Sequence, residues 1–250
     1  MASPSPTADS HAVDVDNPRL RIRDIVAGYG SKQVLHGVDV SVPPGSIVAL
    51  FGHNGAGKST TLAAAFGMLT PSSGSIELDG LDATRMTPHA RVKAGMAYVP
   101  SDNFVFPRLS VRENLVLGAH TVGNASLTGQ RLDQVFEVWP ILKDRVSQMA
   151  GTMSGGQRRI LSLGIALMSG PSLLLLDEPS LGLAPVVVDE LFEQLRTLAH
   201  ETHLSVLLVE QSVGKTLRIA DDAYVMQAGR VVAHEAPHLL AQRENLWGLF

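Results

Sequence analysis

Gly52-His53-Asn54-Gly55-Ala56-Gly57-Lys58-Ser59-Thr60 is the stretch that decides how this 250-residue chain folds. Ahead of it, Ser46-Ile47-Val48-Ala49-Leu50-Phe51 is a short apolar run that reads as a buried strand. Behind it, residues 61–67 read as a helix closed by Gly67. Strand, glycine loop and helix, in that order, are the context that the G-x-x-x-x-G-K-[ST] pattern requires of a phosphate cradle. Gly52, Gly55 and Gly57 allow turns that a Cβ would forbid and let main-chain N–H groups converge into an anion nest. The following helix adds the partial positive charge of its N-terminus. In such a loop Lys58 reaches the β- and γ-phosphates and the Ser59 hydroxyl ligates Mg²⁺. The alternative is an ordinary glycine-rich turn. The loop alone does not name a reaction, because kinases, GTPases and ATPases all use it.

Working outward, the segment before the loop alternates in strand fashion. Leu20 and Ile22 alternate with Arg21 and Arg23, and Val38, Val40 and Val42 alternate with Asp39 and Ser41 before Pro43-Pro44-Gly45 turns the chain. Between them, Tyr29 stands at a strand end. It either stacks on a nucleotide base or caps the sheet edge. Pro4, Pro6 and Pro18 among Ser, Thr, Ala and Asp lead us to expect a disordered tail over residues 1–18.

Downstream, Ile76 and Leu78 point inward from another strand, and Met96 to Pro100 is a further short one. Ser110 with Glu113 forms a capping box that opens a helix-rich region over roughly 110–168. Within it, Ser154-Gly155-Gly156-Gln157 begins a helix whose apolar positions are Ile160, Leu163, Gly164 and Leu167. This is a second glycine-bearing helix start, hence either a second anion site or a flexible start. Leu173-Leu174-Leu175-Leu176 then reads as a strand covered on both faces, as in a parallel sheet. Asp177 and Glu178 stand at its C-terminal end, where α/β sheets bind ligands. Asp177 suits the Mg²⁺ shell, and Glu178 suits a base or positioner for an attacking water. Val188, Leu191, Phe192, Leu195 and Leu198 form a core-facing helix stripe. Residues 204–209 form another buried strand that ends in Glu210-Gln211. A last helix over about 236–249 carries Trp247, with Phe250 after it, as core or as a docking surface.

Composition narrows the class. Apolar content of 45% is globular, and no apolar run approaches the ~18–20 residues of a bilayer span. We expect no signal peptide, since no basic region followed by an apolar one opens the chain. The absence of cysteine excludes disulfides and thiolate metal sites and fits a cytosolic setting. A net charge of −4 offers no basic field for nucleic acid, which is not expected as a partner.

With these residues in hand, the chain resembles the nucleotide-binding subunit of ABC transporters over roughly residues 20–240. The ordered set is Tyr29, the Walker A loop Gly52 to Thr60, the signature Ser154 to Gln157, and the Walker B strand Leu173 to Glu178. Within that superfamily it looks like the shorter ATPase of branched-chain amino-acid importers. The phrases that carry this are Ala150 to Gly156, Val105 to Leu115, Asp177 to Pro185, and Leu208-Val209-Glu210-Gln211. Urea and short-chain amide importers share them. The resemblance implies an α/β fold of P-loop NTPase (RecA-like) type: a mainly parallel sheet, an N-terminal antiparallel β-subdomain and an inserted α-helical subdomain. Residues 19–250 would form the ATPase domain, with about 100–168 as the insert.

The resemblance also implies ATP and Mg²⁺ as ligands. Tyr29, residues 52–60 (His53, Asn54 and Ala56 included) and Ser154, Gly155, Gly156 and Gln157 would hold nucleotide. Ser59 and Asp177 would hold the metal, and Glu178, Lys58 and Gln211 would serve hydrolysis. It implies a second ATPase subunit, as homodimer or heterodimer, facing this one head to tail, so Ser154 has to be accessible rather than buried against its own chain. Two membrane permease subunits and, indirectly, an extracytoplasmic solute-binding protein complete the expected assembly, with this chain peripheral on the cytoplasmic membrane face. Three positions depart from the general pattern: Ser101 at the Q-loop glutamine, Gln211 at the switch histidine and Ala184 at the D-loop aspartate. They motivate a second expectation, a regulatory nucleotide-binding subunit with weak hydrolysis.

Overall fold

The computed structural model describes residues 17–102 and 104–243; the expected tail over 1–16, and Trp247 and Phe250, lie outside the described residues. Within the expected tail, Pro18 is already buried at the start of the fold.

Two sheets organise the chain. The first is antiparallel, with strand order β2-β1-β4-β5, built from β1 (Leu20–Tyr29), β2 (Lys32–Val42), β4 (Ser73–Leu78) and β5 (Leu81–Asp82). The second holds β3 (Ile47–Phe51), β6 (Met96–Val99), β7 (Leu173–Asp177), β8 (Ser205–Val209), β9 (Asp222–Gln227) and β10 (Arg230–Glu235) in the order β10-β9-β3-β8-β7-β6. Its pairs are parallel except the β9–β10 hairpin at one edge. Strands β3, β7 and β8 are buried at every residue, as their unbroken apolar runs require of strands covered on both faces. Their side chains alternate between two cores. Val48, Leu50, Leu173, Leu175, Leu207 and Val209 join the antiparallel sheet; Ile47, Leu174, Leu176, Val206 and Leu208 join the helices on the opposite face.

Between β6 and β7 the chain inserts α3 (Val111–Gly118), α4 (Ala125–Val138), α5 (Pro140–Asp144) and α6 (Gly155–Leu167). The expected box at Ser110 is formed: its side chain accepts from Glu113 N, and the Glu113 carboxylate accepts from Ser110 N. Helix α6 opens with a second such box, Ser154 with Gln157. Its buried face is broader than the expected stripe. Leu163 and Gly164 are buried, but Ile160 and Leu167 are only half-buried, and Arg159, Leu161 and Ser162 turn inward as well. The physical reason is that α6 is packed from several sides, by α3, α4 and β6.

Helix α1 (Lys58–Phe66) follows the glycine loop, and α2 (Pro88–Lys93) lies near its far end. Arg91 of α2 is fully buried and donates to Ala64 O (2.8 Å), Ala65 O, Ala83 O (2.5 Å), Thr84 O (3.3 Å) and Met86 O (3.2 Å). It thereby ties the end of α1, where Ala64 O also accepts from Gly67 N (3.1 Å), to the segment over residues 83–86. Helices α7 (Pro185–Thr202), α8 (Val213–Thr216) and α9 (Pro237–Ala241) complete the described chain. Among the described residues no helix is long and apolar enough to cross a membrane.

Candidate nucleotide site

The C-terminal ends of β3, β7 and β8 lie side by side, and this edge gathers the polar residues of the expected site. At the end of β3 the chain enters the loop with Gly52, Gly55 and Gly57 at φ 148°, 82° and 108°. A Cβ on Gly52 would stand 2.3 Å from Met226 O, so no other residue fits there. Lys58 is 4% exposed, and its ammonium donates to Gly52 O (2.7 Å) and His53 O (3.1 Å), which folds the side chain back along its own loop. Burial lowers the Lys58 pKa, opposed by the charges of Glu178, Asp177 and Glu210.

Ser59 Oγ donates to Asp177 Oδ1 at 3.1 Å, joining the start of α1 to the end of β7 across the intervening β8. Tyr98 OH approaches Asp177 Oδ2 at 3.5 Å. Burial raises the Asp177 pKa, with the Glu178 charge adding to the rise, while the bonds from Ser59 and Tyr98 and the charge of Lys58 oppose it. Glu178, the next residue, has a left-handed backbone (φ 47°), a strained state for a residue with a side chain. Its Oε1 accepts from Gln211 Nε2 at 2.7 Å, and the same amide group donates to Asn54 Oδ1 at 2.9 Å. Gln211 thus links the residue after β7 to the glycine loop.

A cavity of about 520 Å³ is lined by Asn54, Gly55, Gly57, Lys58, Ser59, Thr60 and Glu178, together with Tyr29, Lys32 and His36 from the antiparallel sheet. Tyr29 ends β1 and is 56% exposed, so its ring is open to a ligand. Ser154, Gly155, Gly156 and Gln157 do not line this cavity. Ser154 and Gly155 are exposed, with the Ser154 hydroxyl accepting from Gln157 N, so this helix start faces outward. The expected accessibility of Ser154 is met.

Two buried charges were not singled out by sequence reasoning. Glu210, 1% exposed, accepts from Ser180 N (2.8 Å), Ser180 Oγ (2.8 Å) and Gln211 N (3.1 Å), holding the turn after Glu178 beside Gln211. Arg159, also 1% exposed, donates to carbonyls on both sides of Glu178. The available signal was positional: Arg159 sits four residues before Leu163 on an inward face, and Glu210 closes an apolar strand. Ser101, at the expected Q-loop position, does not line the cavity; its carbonyl accepts from Arg159 at 3.2 Å.

A glycine loop between strand and helix, a buried lysine at its end and an Asp-Glu pair at the end of β7, one strand beyond β8, define a P-loop nucleotide-binding ATPase. Comparison with known proteins narrows this. The ABC transporter family matches residues 35–181, and the chain belongs to that family. It is 45% identical over 207 residues to the high-affinity branched-chain amino acid transport ATP-binding protein BraG of Pseudomonas aeruginosa, covering 83% of this chain and 88% of that one. It is 38% identical to the probable branched-chain amino acid transport ATP-binding protein LivF of Archaeoglobus fulgidus, covering 90% and 95%. Among solved structures, the ADP conformation of an ATP-binding cassette of an ABC transporter superposes with a TM-score of 0.81 at 25% identity, covering 93% of this chain and 98% of that one.

Proposed function

We propose that this chain is the ATP-hydrolysing subunit of an importer for branched-chain amino acids or a similar small solute. The observation that carries the reading is the convergence of Lys58, Ser59, Asp177 and Glu178 at one sheet edge, in a chain 45% identical to a branched-chain amino acid transport protein. The loop N–H groups and Lys58 bind the β- and γ-phosphates of ATP, for which the lysine leaves its carbonyl partners. Tyr29 offers its exposed ring to the base. Ser59 Oγ and Asp177 Oδ1, 3.1 Å apart, are a hard-oxygen donor set that fits Mg²⁺. Mg²⁺ bound there would supply neutralising charge to the phosphate oxygens. Glu178 orients the attacking water and accepts its proton.

The exposed start of α6 supports a head-to-tail pairing in which Ser154, Gly155, Gly156 and Gln157 face the γ-phosphate held by a second ATPase subunit. Leu181 and Val186, 60% and 68% exposed after Glu178, suit the same seam. Phe104 and Phe106, 61% and 42% exposed and packed edge to face, suit contact with a membrane permease subunit; in this reading the chain is a peripheral subunit at the cytoplasmic face. A solute-binding protein would then select the cargo outside the membrane.

The test is ATP turnover of Glu178→Gln with the partner subunits present. Turnover should fall roughly 10²–10⁴-fold with nucleotide still bound; an unchanged rate removes Glu178 from this role. Labelled leucine and urea as competing cargoes separate the two importer types. The Gln211 hold on Glu178 Oε1 favours one alternative, a regulatory subunit that binds ATP and hydrolyses it slowly. Binding without phosphate release in the reconstituted assembly would select that alternative.

A further inference from the structure

The buried cation Arg159 has a geometry that packing alone does not require. It lies five residues after Ser154 on α6, and among the described residues its guanidinium pairs with no carboxylate. Instead it donates to four main-chain carbonyls: Nη2 to Asp177 O (2.8 Å), Nε to Pro179 O (3.1 Å), and Nη1 to Pro100 O (2.6 Å) and Ser101 O (3.2 Å). Taking such a charge out of water is costly, and an apolar side chain of similar volume would fill the space without that cost. What the planar five-donor fork adds is a fixed relation between several lengths of main chain.

The bonded carbonyls are informative. Those of Asp177 and Pro179 flank Glu178, whose left-handed backbone persists only where its surroundings over-determine it. The Glu178 N–H is held in turn by Val209 O at 2.9 Å. Pro100 and Ser101 begin the turn that leads to the exposed Phe104. One side chain on the helix that starts at Ser154 therefore grips both the frame of Glu178 and the segment that follows β6.

We propose that Arg159 is a positioning residue for hydrolysis: it sets the strained main chain of Glu178 and locks it to the helix that opens at Ser154. The carboxylate then shifts as a unit with the inserted helices when they meet a second subunit. This rests on the reading of Glu178 given above.

Arg159→Lys keeps the charge and loses the fork; Arg159→Met keeps only the length. In the complete assembly, kcat for ATP should fall roughly 10–100-fold in both, as for a misplaced reacting group. KM and nucleotide Kd should stay within about threefold, a split that loosened packing would not produce. In a Glu178→Gln background, single-turnover rates should fall no further on Arg159→Lys, because both changes act through one group. A wild-type kcat for Arg159→Lys beside a slow Glu178→Gln overturns the inference, as does a fall that multiplies with Glu178→Gln. Failure of both Arg159 variants to fold overturns it too, leaving Arg159 a folding residue. A wild-type rate for Glu178→Gln itself sinks the functional reading instead.

Discussion

At the scale of single residues, the site stores unfavourable charge until its ligand arrives. Asp177 is 4% exposed, and burial holds its pKa above the ordinary carboxylate value of 3.8. The folded state therefore binds this proton more tightly than the unfolded chain does. The stability this group contributes is complete below the unfolded pKa and is lost as pH rises through the raised folded one. Asp177→Asn escapes that loss while retaining an acceptor for Ser59. Its melting temperature should exceed that of the unaltered chain by an amount that grows as pH rises from the ordinary carboxylate value of 3.8 through the raised folded one, at about 2–4 °C per kcal/mol relieved. A difference that is flat with pH would show that the raised pKa is not felt by the fold. The same substitution should weaken Mg²⁺-dependent nucleotide binding, the trade expected where function needs a destabilised group.

At the scale of elements, the start of α3 shows how one buried amide orders a loop. Asn114 is fully buried; its Oδ1 accepts from Phe106 N (2.7 Å), and its Nδ2 donates to Phe106 O (3.0 Å), Leu109 O (3.2 Å) and Ser110 O (2.9 Å). The exposed Phe106 is thereby held on a rigid base. Asn114→Ala strands the Phe106 N–H, while the three carbonyls keep main-chain donors from Leu109, Ala150 and Asn114; it should cost roughly 1–3 kcal/mol, with faster amide exchange over residues 106–110. Unchanged exchange there would assign the ordering to the Ser110–Glu113 box instead. The elements themselves were legible because their signals are local. Four leucines in a row followed by two carboxylates can be read from spacing, as can a serine three residues before a glutamate. Arg159 and Glu210 were not, because a charged residue is buried only by partners that the fold delivers. The carbonyls that hold Arg159 lie as far as 59 positions away in sequence. Tyr29 was legible in place, and the resemblance chose base stacking over an edge cap for it; the structure adds that it lines the same cavity as the glycine loop.

At the scale of the whole molecule, the helical insert is fastened to the sheet-bearing body at few polar points. Trp139, between α4 and α5 and 1% exposed, donates from Nε1 to Gln194 Oε1 of α7 at 2.7 Å. Trp139→Phe leaves that amide unsatisfied and should cost about 1–3 kcal/mol. Adding Gln194→Leu should recover part of the loss in a thermal melt, since removing both partners is cheaper than removing one. No recovery would mean that ring volume, not the bond, is what counts. Arg91 and Arg159 fasten the body differently: each meets fixed carbonyl dipoles in the interior, while pairs such as Arg19–Asp79 and Lys215–Asp189 lie nearer solvent. Mobile ions screen the second kind and cannot reach the first. Rising ionic strength should therefore loosen the head-to-tail pairing proposed above, which would depend on accessible helix ends, well before it slackens the inside of this subunit.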